Sequence, residues 1–430
     1  MTSIFDKGKE IILRNKIGSG AEAEIYLHPK QHGYCVKLYK KPISQEQIEK
    51  LLILSEERYS ALRSQFAIPI RLVSDTRGRP CGFVMNKFDV FGQLHQLSDV
   101  GDRDHIAPFA DAKFLLKVAI NLCDGLALAH SLDLVLGDLS DRNLGFTSTG
   151  DVVFFDVDSC QIRNEQRTYP ARMGVAEFVD PRARDTNGRW NFDKEADEYS
   201  LCINLFKLLF RGRHPFAGAI QIPSGQNTIL QIEDLMHFGI NINADGGTKH
   251  SRVRRVETQP STSEILPSPI CNWINEVLSD PFDKENRVEA SMLARNLKLY
   301  RNSIQHCKND RSHIWMTKSS DCPWCERYKA VQRTRAFAAN LHEHLCIVEK
   351  CRRFAREDSH WCDYHWLVPP NYQSQSKSTS TSTWLSSIHG FHYDTNICGA
   401  QNKDGSECQK RPLKGNKRCH HHFGQWRAAR

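Results

Sequence analysis

The sequence lacks any run of eighteen apolar residues, about the length that a helix needs to cross a bilayer. Its start, Met1 to Gly20, also lacks the uninterrupted apolar core of a secretory signal peptide, because charged side chains alternate with apolar ones there. The composition, 40% apolar and 25% charged over 430 residues, is typical of globular proteins. We therefore expect a cytoplasmic protein with no membrane partner.

The fifteen cysteines are placed in a way that argues against disulfide bonds. Nine crowd into the last 130 residues beside histidines, which in a reducing compartment indicates metal binding. The other six stand singly, mostly within apolar runs, and are expected to be small buried side chains. These are Cys35, Cys81, Cys123, Cys160, Cys202 and Cys271.

Two halves of different character precede the cysteine-rich end. Ile11 to Phe88 predicts short strands with one helix over 44–62, and the chain beyond Phe88 predicts helices, chiefly over 111–130 and 197–210. This order indicates an α+β fold of two lobes with a cleft between them. Weak periodicity over 220–268 predicts a long loop insertion or a loosely ordered segment.

We predict six consecutive parts of the chain. The stretch Pro369 to Thr383 is polar and of low complexity, which is typical of a linker that cannot bury a core. The parts are an amino-terminal lobe (1–88), a helical lobe (89–300), a zinc ribbon-like module (301–330), a module with three cysteines and one histidine (341–368), a flexible linker (369–394) and a second, basic module of that kind (395–430).

Two features of the amino-terminal half suit the binding of phosphate groups. Gly18 and Gly20 lie in a turn between two predicted strands, where glycine lets backbone amides approach phosphate oxygens. Lys37 is a single lysine within an apolar strand. Each feature alone is common, since such turns occur in many hairpins and such lysines often face solvent.

Acidic and amide side chains at two later points add groups for phosphate chemistry. Asp138 and Asn143 follow a predicted helix, and Asp156 ends an apolar strand. Phosphoryl transfer needs a carboxylate near the attacking hydroxyl and oxygen ligands for Mg²⁺ at the nucleotide phosphates. These three residues supply such groups.

The ordered set of motifs resembles the eukaryotic-type protein kinase domain, in which H-R-D-x-x-x-x-N and D-F-G carry these roles. The likeness extends to the D-E-Y-S-L run from Asp197, the R-G-R-H-P-F run from Arg211 and the late arginine Arg287. It implies a bilobal protein-kinase-like fold, the cofactors ATP and Mg²⁺, and transfer of the γ-phosphate to a serine or threonine of a protein substrate.

The resemblance also implies a role for each matching residue. The two loop glycines cover the phosphates and Lys37 contacts them. Asp138 orients the substrate hydroxyl and takes its proton, while Asn143 and Asp156 hold magnesium.

A glutamate on the helix after Lys37 is implied as the ion-pair partner of that lysine. Glu49 is the preferred choice, and Glu56, seven residues on and on the same helical face, is the alternative.

Several positions depart from the kinase pattern. Gly137 replaces the arginine before Asp138, Ala23 replaces a third loop glycine, and D-F-G reads D-V-D. Arg182 stands where a glutamate normally pairs with the late arginine, Arg287, so either another carboxylate compensates or this region differs from the kinase pattern. These departures keep open a pseudokinase scaffold acting through its zinc modules, and the fold alone also allows a kinase of small molecules.

The motifs are similar to a bacterial branch of this superfamily whose members carry carboxy-terminal zinc ribbons or helix-hairpin-helix modules. Some members are encoded beside a PP2C-type phosphatase and a von Willebrand A protein. The resemblance therefore implies bacterial signalling and those two proteins as partners. The short stretch between Asp156 and Asp180 fits a kinase that loop phosphorylation does not switch.

Three sets of cysteine and histidine have the spacing of tetrahedral zinc sites. The first set has a C-P-W-C knuckle as its strongest part, with His306 as an alternative to His313. The second and third share two spacings and form an internal repeat, and His420 and His421 are alternatives to His422. The sets are Cys307, His313, Cys322 and Cys325; Cys346, Cys351, Cys362 and His365; and Cys398, Cys408, Cys419 and His422.

Four protein ligands close a zinc site, so we interpret the zinc as structural. The tail from Cys398 to Arg430 carries eight lysines and arginines against two acidic residues. This basic tail suits nucleic acid as a partner, and a solvated basic surface explains it equally well.

Overall fold

The computed structural model describes most of the first 337 residues of the chain. The described ranges are 2–164, 167–183, 190–217, 219–221, 227–229, 232–239, 241, 253–254, 259–279, 283 and 287–337. The predicted modules over 341–368 and 395–430 and the predicted linker over 369–394 lie outside these ranges. In the described part, no helix is long and apolar enough to cross a membrane.

The amino-terminal part is a seven-stranded antiparallel sheet with strand order β2-β1-β6-β7-β5-β4-β3. Strands were predicted from Ile11 onward, and the structure adds an earlier hairpin, β1–β2, at the edge of the sheet. The strands are β1 (Thr2–Asp6), β2 (Lys9–Leu13), β3 (Lys16–Ser19), β4 (Ala23–Leu27), β5 (Tyr34–Tyr39), β6 (Arg71–Ser74) and β7 (Pro80–Asn86).

One helix crosses this sheet. Helix α1 (Gln45–Leu54) begins after Ser44, whose side chain accepts a hydrogen bond from the amide of Gln47 at 3.2 Å. Its apolar face buries Leu51 in a cluster with residues of β5 and β7. A 3₁₀ segment (Glu57–Ser64) follows, so the predicted helix over 44–62 is present in two pieces.

The second part is mainly helical, which confirms the α+β fold class. The predicted helix over 111–130 is α4, whose first turn is capped by Asp111 at 2.8 Å from the amide of Phe114. The helices are α2 (Leu94–Ser98), α3 (Val100–Ile106), α4 (Ala112–Ser131), α5 (Lys194–Leu209), α6 (Ile232–Phe238), α7 (Thr262–Ile265), α8 (Ser268–Ser279), α9 (Ala290–Leu299) and α10 (Pro323–Phe337).

Small three-stranded sheets accompany these helices. Their strand orders are β11-β10-β8, β13-β12-β9 and β15-β14-β16. The loop insertion predicted over 220–268 is therefore wrong in part, because short strands and helices occupy its described residues. The strands are β8 (Gly92–Gln93), β9 (Leu134–Val135), β10 (Leu144–Phe146), β11 (Val152–Phe154), β12 (Gln161–Asn164), β13 (Arg167–Tyr169), β14 (Ala219–Gln221), β15 (Asn227–Ile229) and β16 (Val253–Arg254).

The main core lies among α4, α5, α8 and α9, and the chain after residue 304 packs onto it. Trp315 is 2% exposed and Trp324 is 6% exposed, and both belong to this core. The amide of Met316 donates to the carbonyl of Ile265 at 2.7 Å, which holds the segment to helix α7. Residues 305–325 are thus built into the helical part of the molecule.

Candidate active site and cysteine-histidine cluster

Strand β5 positions Lys37 in the amino-terminal sheet. Lys37 and Tyr39 lie on one face of β5, since alternate residues of a strand share a face. Lys37 is paired in register with Phe83 of β7, and its ammonium lies 5.9 Å from the centroid of that ring. The lysine is 8% exposed, so it is a buried cation that requires anionic partners.

The hairpin of β10 and β11 brings Asn143 and Asp156 to the same place. Leu144 pairs with Phe154, and the amide of Phe155 donates to the carbonyl of Asn143 at 2.8 Å. Asn143 and Asp156, which are thirteen residues apart in the sequence, thus flank the two strands of this hairpin. Asp156 has a left-handed backbone (φ 56°), which turns the chain out of the strand.

Asp138 is held beside Asn143 at the start of the same hairpin. The side-chain amide of Asn143 donates through Nδ2 to one oxygen of the Asp138 carboxylate at 2.8 Å. The backbone N–H of Val175 donates to the other oxygen of that carboxylate at 3.1 Å. Burial raises the pKa of Asp138, although these two hydrogen bonds oppose the shift. A positioned carboxylate with a raised pKa is suited to accept a proton.

The loop before Asp138 is fixed by Asp197 of helix α5. The Asp197 carboxylate accepts from the amides of Leu136 at 2.7 Å and Gly137 at 2.8 Å, and it lies 3.1 Å from Nε2 of His130. The Asp197 motif, noted in the sequence as the start of a helix, thus holds the backbone that carries Asp138.

The structure explains why Gly137 stands where the kinase pattern has an arginine. Gly137 has φ +74°, a conformation that residues with a Cβ rarely adopt. A Cβ at this position would lie 2.7 Å from the Cβ of Ala171 and 3.2 Å from the ring of Phe192. The backbone path there therefore excludes any side chain.

Lys37 pairs with two aspartates rather than with a helix glutamate. Its ammonium donates to Asp156 at 2.6 Å and to Asp158 at 2.5 Å. Burial disfavours the charged lysine, but the carboxylates of Asp158 and Asp156 outweigh it and raise the pKa of Lys37. Burial also acts to raise the pKa of Asp158, and the contact with Lys37 reverses this and lowers it.

The structure therefore contradicts the predicted pairing of Lys37 with Glu49. Glu49 binds Arg167 at 2.6 Å and the hydroxyl of Tyr169 at 3.1 Å. The alternative, Glu56, lies 3.0 Å from Arg58. The rotation of α1 about its axis, which the sequence does not specify, directs Glu49 to strand β13.

Asp138, Asn143 and Asp156 line one small cavity of about 10 Å³. A larger cavity of about 440 Å³ shares Asp156 with it and extends to the turn after Gly20. That turn joins β3 to β4, where the amide of Gly20 donates to the carbonyl of Ala23 at 2.9 Å. Carboxylate and amide oxygens are the ligands that Mg²⁺ takes, so the residues present suit that ion together with nucleotide phosphates.

The clash anticipated between Arg182 and Arg287 is resolved by Asp180, which is fully buried. Its carboxylate lies 2.6 Å from Arg182 and 3.3 Å from Arg287, so one anion bridges the two cations. The expectation that another carboxylate compensates is confirmed. Asp180 stands two residues before Arg182 in the D-P-R run, but the spacing of the motifs alone did not identify it as the compensating carboxylate.

The first cysteine-histidine set forms a cluster in the structure. This cysteine-histidine cluster consists of Cys307, His313, Cys322 and Cys325. The ligand atoms of these four residues all lie within 4.8 Å of one another. The sulfurs of Cys307 and Cys325 are 3.5 Å apart, and Nδ1 of His313 lies 3.4 Å from the sulfur of Cys322. A tetrahedron with bonds of 2.3 Å to sulfur has edges of about 3.8 Å, so this donor set fits zinc.

Contacts around the cluster orient the histidine and connect it to the helical core. Nε2 of His313 lies 3.4 Å from Asp310, the arrangement in which a carboxylate fixes a metal-binding imidazole. Asp310 in turn pairs with Arg211 at 3.0 Å. The ring of His313 also stacks on Trp324, with centroids 5.8 Å apart. The geometry favours His313 over His306 as the fourth ligand.

The chain is similar to known proteins over part of its length. The chain matches no protein-family model. It is similar to the protein kinase YegI of Escherichia coli O157:H7, with 24% identity over 315 residues, which is 72% of this chain and 48% of that protein. The corresponding protein of strain K12 is 24% identical over 323 residues, covering 74% of this chain and 49% of that protein.

A eukaryotic kinase shows a weaker likeness. The rhodopsin kinase grk7-b of Xenopus laevis is 20% identical over 175 residues, which is 41% of this chain and 30% of that protein. The chain spans about half the length of the YegI proteins it matches. All three of these similar proteins are named as kinases.

Proposed function

We propose that the protein is an ATP- and magnesium-dependent kinase that transfers the γ-phosphate to a serine or threonine hydroxyl of a protein substrate. One observation carries the proposal most strongly. Lys37 of the sheet lies beside Asp156, and Asp156 lines one cavity with Asp138 and Asn143. Lys37 is about a hundred residues or more from the other three in the sequence. The names of the similar proteins support the same activity.

Each residue has a defined task in this proposal. Mg²⁺ supplies charge neutralisation at the nucleotide phosphates when it is bound, and Asn143 and Asp156 are the residues that would hold it. Lys37 neutralises phosphate charge from the sheet. Asp138 accepts a hydrogen bond from the attacking hydroxyl and receives its proton, for which its raised pKa is suitable.

We further propose zinc in the Cys307, His313, Cys322 and Cys325 cluster and in the two sets outside the described residues. With four protein ligands the cluster is closed, so the zinc would be structural. The partners remain proposals: a protein substrate, a PP2C-type phosphatase, a von Willebrand A protein and, through the basic tail, nucleic acid.

The test of the proposed function is a transfer assay on the full chain. The protein would be incubated with γ-labelled ATP and Mg²⁺, alone and with a general protein substrate, and phosphorylated residues located by mass spectrometry. Wild type should label serine or threonine, and Asp138→Ala and Asp156→Ala should lower the rate by about a thousandfold or more. Equal labelling by wild type and both variants, or none by any of them, would refute the proposal.

A further inference from the structure

Helix α1 turns its two glutamates away from Lys37. Glu46 binds Arg172, and Glu49 binds Arg167 at 2.6 Å. Both arginines belong to the segment that follows β12, and the side chain of Glu49 is 34% exposed. The acidic face of α1 therefore faces this segment and solvent rather than the buried ammonium.

Gln47 of α1 extends an amide to the residues that surround the lysine. Nε2 of Gln47 lies 3.4 Å from the hydroxyl of Tyr39 and 3.4 Å from the main-chain oxygen of Asp158. Residue 47 is about 100° around the helix from residue 46 and about 200° from residue 49. The helix thus presents the amide of Gln47 to Tyr39 and Asp158, whereas its two glutamates pair with arginines. Glu46 also lines the larger cavity, but its carboxylate is bound to Arg172.

Asp158 occupies the place beside Lys37 that α1 leaves without a carboxylate. One of its oxygens lies 2.5 Å from the lysine ammonium, and the other accepts a hydrogen bond from the hydroxyl of Tyr39. Asp158 is 4% exposed, so both oxygens are engaged inside the protein by residues of strand β5. The Asp156 side chain is 45% exposed and remains open towards the cavity.

We infer that Asp158 is the positioning residue for Lys37, and that Asp156 is the carboxylate left for magnesium. The inference rests on the proposed function and assigns to the second aspartate of D-V-D the task that a helix glutamate performs in the kinase pattern. Asp158 follows Asp156 by two residues, so the same loop sets the lysine and the magnesium carboxylate. The carboxylates that hold Lys37 then come from the loop after β11 rather than from helix α1.

The test compares four forms of the full chain in the transfer assay, with kcat and KM for Mg-ATP measured separately and the thermal midpoint of each recorded. Asp158→Asn should lower kcat/KM by about 100-fold, because the lysine loses the charge that orients it. Glu49→Gln removes only a partly exposed pair and should stay within about threefold of wild type. Adding Gln47→Glu to Asp158→Asn places a carboxylate on the helix face that meets the site and should recover about tenfold.

A milder variant keeps the inference testable if Asp158→Asn does not fold. Tyr39→Phe removes one hydrogen bond to Asp158 and leaves all charges in place, and it should lower kcat/KM by about tenfold with little change in thermal midpoint.

The outcomes separate this inference from the proposed function. An active wild type with a greater loss in Glu49→Gln than in Asp158→Asn, or with no loss in Asp158→Asn or Tyr39→Phe, would overturn the positioning role alone. A loss in Asp158→Asn that Gln47→Glu partly restores would support it. Absence of transfer by wild type would overturn the proposed function and, with it, this inference.

Discussion

The residues of the candidate active site and the cysteine-histidine cluster are both groups of polar or ligating side chains, but they are assembled in different ways. Lys37 reaches Asp156 and Asp158 across more than a hundred residues of sequence, and ion pairs hold the three together. The ligands at Cys307 and Cys325 come from one short segment whose neighbouring tryptophans are buried in the core. The first group depends on the whole fold, whereas the second is local and helps to hold the fold.

Helix α5 connects the two groups. Near its start, Asp197 binds the amides of Leu136 and Gly137 in the loop that carries Asp138. Just beyond its end, Arg211 binds Asp310 beside the cluster. The four cluster residues are not among the residues of the candidate active site, so we expect a change at the cluster to lower the stability of the fold while the binding of Mg-ATP is kept. The first prediction below tests this difference.

The largest effect is expected from loss of a zinc ligand. Cys322→Ser should lower the zinc content of the full chain by one ion and destabilise it by about 4 kcal/mol or more, the range reached when a metal ligand is lost from a buried site. Below its lowered thermal midpoint, the variant should keep a KM for Mg-ATP close to that of wild type. Metal analysis, thermal unfolding and the transfer assay measure these three quantities.

Cys81→Ser is the matched control, because Cys81 is a half-buried cysteine of the amino-terminal sheet outside the cluster. It should leave the zinc content unchanged. An unchanged zinc content in Cys322→Ser as well would refute the zinc assignment, and a raised KM in a folded variant would refute the separation of the two groups.

A smaller effect is expected from pH, through Glu198 of helix α5. Burial, and then the neighbouring carboxylates of Glu195 and Asp197, raise the pKa of Glu198 from 4.5 to about 8. The folded protein then holds a proton that the unfolded chain releases, so stability is full below pH 4.5 and is lost as pH rises to about 8. The loss is roughly 1.4 kcal/mol for each pKa unit.

Glu198→Gln cannot ionise and should flatten this part of the stability curve, as measured by denaturant unfolding between pH 5 and pH 8. The exposed Glu57 offers a control, since Glu57→Gln should keep the slope of wild type. An identical slope in wild type and Glu198→Gln would show that Glu198 ionises freely in the folded protein.

Much of the architecture was predictable because it follows local periodicity. The helix over 111–130 and the apolar strand before Asp156 both appear in the structure close to where the sequence places them. The spacing of Cys307, Cys322 and Cys325 was likewise sufficient to predict the cluster. These features depend on residues near one another in the chain.

The pairing of Lys37 was not predictable in the same way. It depends on the rotation of α1 and on the left-handed turn at Asp156, and neither leaves a clear pattern in the sequence. The second aspartate of D-V-D, Asp158, was the available sign in the sequence, since a buried aspartate requires a cation. The cause of Gly137 was also visible only in three dimensions, where a Cβ would meet Ala171.

The most direct measurement is a crystal structure of the protein with Mg²⁺ and a non-hydrolysable ATP analogue. We predict magnesium at about 2.1 Å from oxygens of Asn143 and Asp156, with Lys37 between the nucleotide phosphates and Asp158. A nucleotide bound away from these residues would contradict the site, and a Lys37 transferred to Glu49 would contradict the positioning role of Asp158.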